Sequence, residues 1–464
     1  MSPKHTARAQ PPSPDGAADA RIERAQNDST VLPIDAESAD RLSDQGLRLE
    51  LVDTSDAAAF SAWLQAENRG FHLPRVAARA IDEQLQQTGY RRTTGVWDAT
   101  AADAAGPVAT IACWPTPLTV PGERTVPSWA ISAVTVAPTH RRRGIARQLI
   151  EAELRTAKAL GIPVAILTVS EATIYSRYGF APTATVTDLT IDTRRVTWTG
   201  PTASGRLHLV PMEQLKTDGR ELLERVRLRA PGEIQLDEYL WQRLLGLVAD
   251  DDDEAKHLRA VRYDDAEGRP QGFAIYRIKD GANFSSHVLE VKYLVAVTDD
   301  AHSGIWRYLL EMDLVATVTA PMQPIDDPIF WQISDVRGLS TTGHRDHLWA
   351  RILDPKAALE GRSYAAPGRI VLDVSDPLGY ADALILVEID ADGTAVVSTL
   401  DGEAPDDAAA IAITVNELGA LFLGGVSART LVRAGRITEL RPGSADAVDR
   451  SFRSLVAPWL SVWF

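Results

Sequence analysis

One short segment constrains this chain more than any other: Arg141-Arg142-Arg143-Gly144-Ile145-Ala146, set between a strand pattern and a helix pattern. The residues before it, Ala130-Ile131-Ser132-Ala133-Val134-Thr135-Val136, include several β-branched side chains and lie between Pro127 and Pro138, which predicts a strand. After Gly144, apolar residues recur at Ile145, Leu149, Ile150, Leu154 and Ala157, close to helical spacing, until Gly161 supplies a stop. Val164-Ala165-Ile166-Leu167-Thr168-Val169 then predicts a second strand. A glycine at such a junction lets backbone approach a ligand, the free N–H groups of the helix start point at it, and the arginines add charge. The segment reads as a diphosphate cradle. A basic tripeptide before a glycine also occurs at solvated helix starts, and the flanking strands favour the phosphate reading.

At 464 residues the chain exceeds one ordinary core, and roughly one domain per 150 residues predicts about three. A hydrophobic fraction of 45% and a charged fraction of 24% are those of a soluble globular protein. No apolar run approaches the ~20 residues that span a bilayer, so no membrane partner is expected. The single cysteine, Cys113, excludes an intramolecular disulfide and a cysteine-rich zinc site, and is expected in the core. His344 and His347 lie in a Gly- and Thr-containing stretch and are expected on a solvated loop, with no metal. A formal charge of -15 argues against nucleic acid and is compatible with attracting a cationic amine.

Residues 1–45 are rich in Ala, Pro, Asp, Ser and Gln, which predicts a disordered tail; it lacks the apolar centre of a secretory signal, which points to the cytoplasm. A first folded unit is expected over 46–200. A second, over 206–345, contains Val295-Ala296-Val297 and His302-Ser303-Gly304-Ile305, which echo the cradle with His302-Ser303 in place of the basic pair. It reads as a degenerate repeat without its cationic partners. The run Asp250-Asp251-Asp252-Asp253-Glu254 is expected to be a solvated loop. From 360 to 464, strand patterns at 369–374, 383–389 and 393–400 predict an antiparallel sheet, and 415–423 and 445–455 read as helices.

The pattern Arg141-x-x-Gly144-x-Ala146 between two strands resembles the acetyl-CoA motif of the GNAT acetyltransferases. The longer stretch from Val134 to Gly144, continuing in Ser170-Glu171-Ala172-Thr173-Ile174-Tyr175-Ser176-Arg177-Tyr178-Gly179-Phe180, resembles one branch of them, the enhanced intracellular survival (Eis) acetyltransferases. Chain length, the apparent second copy and a final phenylalanine also suit that branch, and the resemblance covers about 46 to 464. It implies α/β plus α+β architecture: two tandem GNAT-like units, the second degenerate, and a sterol carrier protein-like domain over 360–464. It further implies an acetyl-CoA-dependent N-acetyltransferase of small polyamines such as aminoglycosides, assembled as a homohexamer.

The resemblance also carries over residue roles. Tyr175 would protonate the departing thiolate; a phenol of reference pKa about 10 keeps its proton at neutral pH. The α-carboxylate of Phe464 would take the amine proton, with burial or a relaying water correcting its low basicity. Backbone along Val134, Thr135 and Val136 would pair with the pantetheine arm. Arg142, Arg143, Gly144, Ile145, Ala146 and Arg147 would hold the diphosphate, and Ser170 and Glu171 would contact the coenzyme. On the residues alone, Tyr175 also reads as a core tyrosine, and Ala457 to Phe464 as an apolar segment closing a core. Trp463 departs from members of the branch that carry an acidic residue there, which removes one contact for a cationic substrate. Phe71 and Trp63 are open to lining the amine pocket, but aromatics are more often core residues and the two are left out of the site. Two other functions remain: protein lysine acetylation, and non-catalytic binding of an apolar ligand by the C-terminal domain.

Overall fold

The computed structural model describes residues 16–248 and 255–464, so the acidic run 250–254 lies outside the described residues. The first unit supplies six strands: β1 (Leu47–Leu51), β2 (Arg92–Asp98), β3 (Ala109–Val120), β4 (Arg124–Val136), β5 (Val164–Thr168) and β6 (Ala181–Asp192). The second supplies β7 (Arg206–Val210), β8 (Arg259–Asp264), β9 (Pro270–Lys279), β10 (His287–Ala296), β11 (Val315–Gln323) and β12 (Leu339–Ile352). All twelve form one sheet in the order β1-β2-β3-β4-β5-β12-β6-β11-β10-β9-β8-β7. The sixth strand of each unit has crossed over. β12 pairs antiparallel with β5, from Leu348↔Thr168 to Ile352↔Val164, while β6 lies between β12 and β11. Neither unit closes its own sheet, so 46–200 and 206–345 are not separate bodies, and position 345 falls inside β12. A two-residue alternation reveals a strand but not the edge it joins, which is why the exchange escapes a reading of the sequence.

Among the described residues, nine α-helices precede the C-terminal region: α1 (Gly16–Ser29), α2 (Ala36–Ser43), α3 (Ala57–Gly70), α4 (Ala78–Thr88), α5 (Ile145–Ala159), α6 (Ala172–Tyr175), α7 (Met212–Arg227), α8 (Glu238–Leu244) and α9 (Asp299–Leu310). Side chains alternate across the sheet and build cores on both of its faces. Cys113, Trp129, Ile131 and Leu167 meet α5 through Ile145, Leu149 and Leu154; Trp114, Ala130 and Ile166 face the other way, toward α7, α8 and the C-terminal domain.

The expected tail over 1–45 is corrected from residue 16 onward, where α1 and α2 fold onto the first unit and bury Ala25, Ser29, Ser38 and Leu42. Distant arginines hold them. Buried Arg92 donates to the carbonyls of Ser29 (2.8 Å), Leu32 (2.7 Å) and Pro33 (3.0 Å), and Arg155 forks onto Asp35 at 2.8 and 2.7 Å. Charge-assisted bonds compensate for the scarce apolar surface that composition registers.

The C-terminal domain carries a five-stranded sheet in the order β15-β14-β13-β16-β17, from β13 (Gly368–Ser375), β14 (Ala383–Ile389), β15 (Ala395–Thr399), β16 (Ala409–Thr414) and β17 (Thr438–Glu439). The sheet is mixed rather than antiparallel, because the chain returns across it and β16 joins β13 in parallel. A buried ion pair, Arg351 Nη2 to Asp376 at 2.7 Å, ties β12 to this domain. Among the described residues no helix is long and apolar enough to cross a membrane.

Candidate active site

β4 and β5 run parallel and pair from Ser128↔Val164 to Ile131↔Leu167, where pairing stops, although β4 continues to Val136. Ala133 has φ of 56°, and the register with β3 shifts between Thr110 and Ala112. This bulge bends β4 away from β5. Thr135 and Val136 stay paired with β3, so a wedge opens between β4 and β5 with the Val134-Thr135-Val136 backbone on one wall. α3 closes over this wall: a Cβ on Gly70 would lie 2.4 Å from Thr135 Cβ, so only glycine permits the approach. Phe71 follows, 42% exposed, whereas Trp63 is a core residue whose indole N–H donates to Thr94 O at 2.9 Å.

Past β4, His140 Nε2 bonds to Asp98 at 3.0 Å and fixes the turn into α5. Gly144 caps α5 with φ of 76°, and a Cβ there would meet nothing within 4 Å, so the space before the helix start is open. Ile145 is buried and anchors the first turn, Ala146 is half-buried, and Arg142, with φ of 64°, is exposed. Arg143 donates to Gln45 O at 3.1 Å and Arg147 to Glu151 at 2.7 Å.

Ser170 and Glu171, both exposed, leave the end of β5 and lead into α6, whose last residue is Tyr175. Tyr175 is buried, with its ring edge-on to Phe180 at 6.3 Å. Burial first, then the nearby Glu171 and Tyr178, pushes its phenol up to about 12. Phe464 reaches the same end of β5 by another route: Thr168 Oγ1 donates to its carbonyl-type oxygen at 2.9 Å, and its ring lies edge-on to Trp114 at 5.7 Å. Tyr175 belongs to the core on the α5 face and Phe464 packs against the core on the opposite face, so the two approach from opposite sides of the sheet.

The segment ending at Phe464 is held largely by the second unit. Trp459 N donates to Pro231 O (2.8 Å) and its indole N–H to Met322 O (2.7 Å). Ser461 N donates to Glu233 (3.0 Å), and its hydroxyl meets Tyr293 Oη at 2.9 Å. His347 Nε2 lies 2.8 Å from Val462 O. The solvated loop expected at His344 and His347 is corrected: both lie on β12, where His344 is exposed and His347 fully buried. Nothing in the local sequence marks Glu233, Tyr293 or Met322, because their partners lie more than a hundred residues away.

Glu233 makes this anchorage sensitive to pH. Burial pushes its carboxyl up to about 7, partly opposed by the bonds from Ser461, against 4.5 when unburied. Its contribution to stability is therefore full below about 4.5 and lost as pH rises through 7. Glu233→Gln keeps an acceptor for Ser461 and removes the titration, so it should gain on the wild type between about pH 5 and pH 8, by up to about 3 kcal/mol. Denaturant unfolding at several pH values reads this; parallel stability curves would show that Glu233 does not hold its proton.

The second unit lacks the cradle. α9 starts at Asp299, capped by Thr298, so Gly304 lies inside the helix against Tyr263 rather than at a left-handed cap. Ser303 is buried, and Asp299 and Asp300 occupy the first turn, where a diphosphate would be repelled.

Models of the GNAT acetyltransferase domain match residues 52–183 and 232–359, and a sterol carrier protein domain model matches 355–461. An "uncharacterized N-acetyltransferase" of Streptomyces avermitilis is 35% identical over 405 residues, covering 86% of this chain and 94% of that protein. The chain belongs to the GNAT acetyltransferases. Within them it is Eis-like: N-acetyltransferase Eis of Mycobacterium tuberculosis is 34% identical over 350 residues, 73% of this chain and 81% of that protein. The crystal structure of Eis1 from Mycobacterium abscessus has a TM-score of 0.75 at 27% identity, covering 90% of this chain and all of that one. As a GNAT acetyltransferase the chain is an acetyl-CoA-dependent acyltransferase.

The first unit fits that co-substrate, with an open glycine-capped helix start, an exposed arginine and a strand wall lacking a β5 partner. In this GNAT site Gly144→Val forces a β-branched residue to positive φ and fills the open space. We expect it to weaken acetyl-CoA binding at least about tenfold in calorimetric titration. Ser303→Ala should leave binding unchanged. Unaltered affinity in the Gly144 variant would remove the α5 start from the coenzyme site.

Proposed function

We propose that this chain transfers acetyl from acetyl-CoA to a primary amine of a small polyamine such as an aminoglycoside, with the Phe464 α-carboxylate as proton acceptor and Tyr175 as proton donor. Acetyl-CoA supplies an acyl group activated as a thioester. Backbone along Val134, Thr135 and Val136 holds the pantetheine arm in the wedge, and the segment Arg142, Arg143, Gly144, Ile145, Ala146 and Arg147 holds the diphosphate, with Ser170 and Glu171 alongside. As the amine nitrogen bonds to the acyl carbon and the carbon–sulfur bond breaks, the Phe464 carboxylate takes the proton leaving nitrogen, directly or through water. Tyr175 gives its proton to the sulfur. A phenol held near 12 stays protonated across the physiological range.

The observation that carries this reading is the seating of Phe464 on Thr168, on the face opposite Tyr175, so that donor and acceptor flank the β4–β5 wedge. A charge of -15 supports attraction of a cationic substrate. Trp463 stands where an acidic residue would add a contact, which favours a narrower polyamine range. The reading includes a cytoplasmic homohexamer, which exposed apolar side chains such as Trp331 (80%) and Leu455 (93%) support as surfaces for assembly. It includes neither a metal nor a nucleic-acid or membrane partner. Mass spectrometry after incubation with acetyl-CoA and polyamines, lysine peptides or arylamines tests it. Acetylated polyamine is expected. Acetylated peptide alone would favour protein lysine acetylation, and no transfer to any amine would favour a binding protein.

A further inference from the structure

We propose that His347 is a positioning residue for the terminal carboxylate, holding Val462 and Trp463 so that Phe464 is delivered to Thr168; this rests on the proposed role of Phe464 as proton acceptor. His347 lies on β12, the strand that the second unit inserts beside β5, one residue before Leu348, which stands opposite Thr168. Its Nε2 is 2.8 Å from Val462 O. A carbonyl only accepts, so Nε2 carries the proton and the imidazole has one defined tautomer. Its Nδ1 is buried without a partner. Burial, the largest influence, pulls the imidazole down to about 4, so it stays neutral while doing this.

The ring also packs edge-on against Trp463, with centroids 4.5 Å apart. One side chain therefore fixes the two residues before Phe464, and Thr168, which stands opposite the next residue of β12, Leu348, binds Phe464 itself. The next upstream anchors, Glu233 and Tyr293, act on Ser461. Without His347 the chain end swings from Ser461, and a carboxylate displaced by an ångström or so loses its alignment for proton transfer.

The test compares His347→Ala, His347→Gln and His347→Phe in the full-length protein. Gln presents an N–H donor with similar reach, Phe keeps the ring edge without the donor, and both fill the buried site. Two readouts are needed: steady-state kinetics with a polyamine, and the rate at which carboxypeptidase releases Phe464. Expected are a kcat loss of up to about 10²-fold in the Ala variant, a KM for acetyl-CoA near wild type, faster Phe464 release, and substantial rescue of both by Gln but not by Phe. Unchanged Phe464 release in the Ala variant overturns the anchoring. Faster release with unchanged kcat instead overturns the role of the terminal carboxylate. Should the Ala variant fail to fold, equal behaviour of Gln and Phe overturns the hydrogen bond to Val462 as the anchor.

Discussion

Extending the chain by a few residues beyond Phe464, or converting its α-carboxylate to an amide, should lower acetyl transfer by roughly 10²- to 10⁴-fold while acetyl-CoA still binds. An extension replaces the terminal charge with a neutral peptide carbonyl and forces bulk against Trp114, whose ring already meets Phe464 edge-on at 5.7 Å. Amidation keeps the shape and removes only the charge, so the two changes separate placement from basicity. The proposed coenzyme wedge is walled by β4 and β5 and the α5 start, and its one bond to the chain end, from the Thr168 side chain, leaves the strand backbone and the helix start untouched, which is why binding should survive both. Turnover and calorimetric acetyl-CoA affinity, measured on the same preparations, decide the matter. Full activity in a folded amidated protein would reduce Phe464 to a packing residue and assign the amine proton to another base or to water.

Tyr175→Phe should lower kcat by roughly 10²- to 10⁴-fold with little change in coenzyme affinity. The substitution removes one oxygen from a ring that stays packed against Phe180, so the local core should hold. The raised phenol pKa adds a second expectation. A donor that titrates near 12 is fully protonated at neutral and mildly alkaline pH, so the wild type should show no decline assignable to Tyr175 until pH approaches that value. A descending limb near neutrality that vanishes in the Phe variant would mean that the phenol is far more acidic than its burial implies. Turnover near wild type would assign thiolate protonation elsewhere.

Local features were legible in the sequence and long-range ones were not. The strand, helix and second strand between 130 and 168 depend on neighbours a few residues apart, and each stands where periodicity put it, with Gly144 at the junction. The apolar end from Ala457 to Phe464 is buried only in part, with Leu460, Ser461 and Val462 buried, Trp463 exposed and Phe464 half-buried, and the residues receiving it, from Thr168 to His347, are scattered over the chain. His347 was misread because the first half of β12 is polar and partly exposed, which looks like a loop until its position between β5 and β6 is known. The helices before residue 45 were misread because their anchors, Arg92 and Arg155, lie well downstream.

The crossed strands also bear on the order in which this molecule can be assembled. As the chain leaves the ribosome, residues through β5 can build most of the first half of the sheet, but the partner for the outer edge of β5 is β12, which ends at Ile352. Until then that edge is an unpaired parallel-sheet strand next to the future wedge, exposed for the synthesis of nearly two hundred residues. Contacts so far apart in sequence make completion slow, and a fragment ending near residue 200 should expose this edge and self-associate rather than behave as a small acetyltransferase.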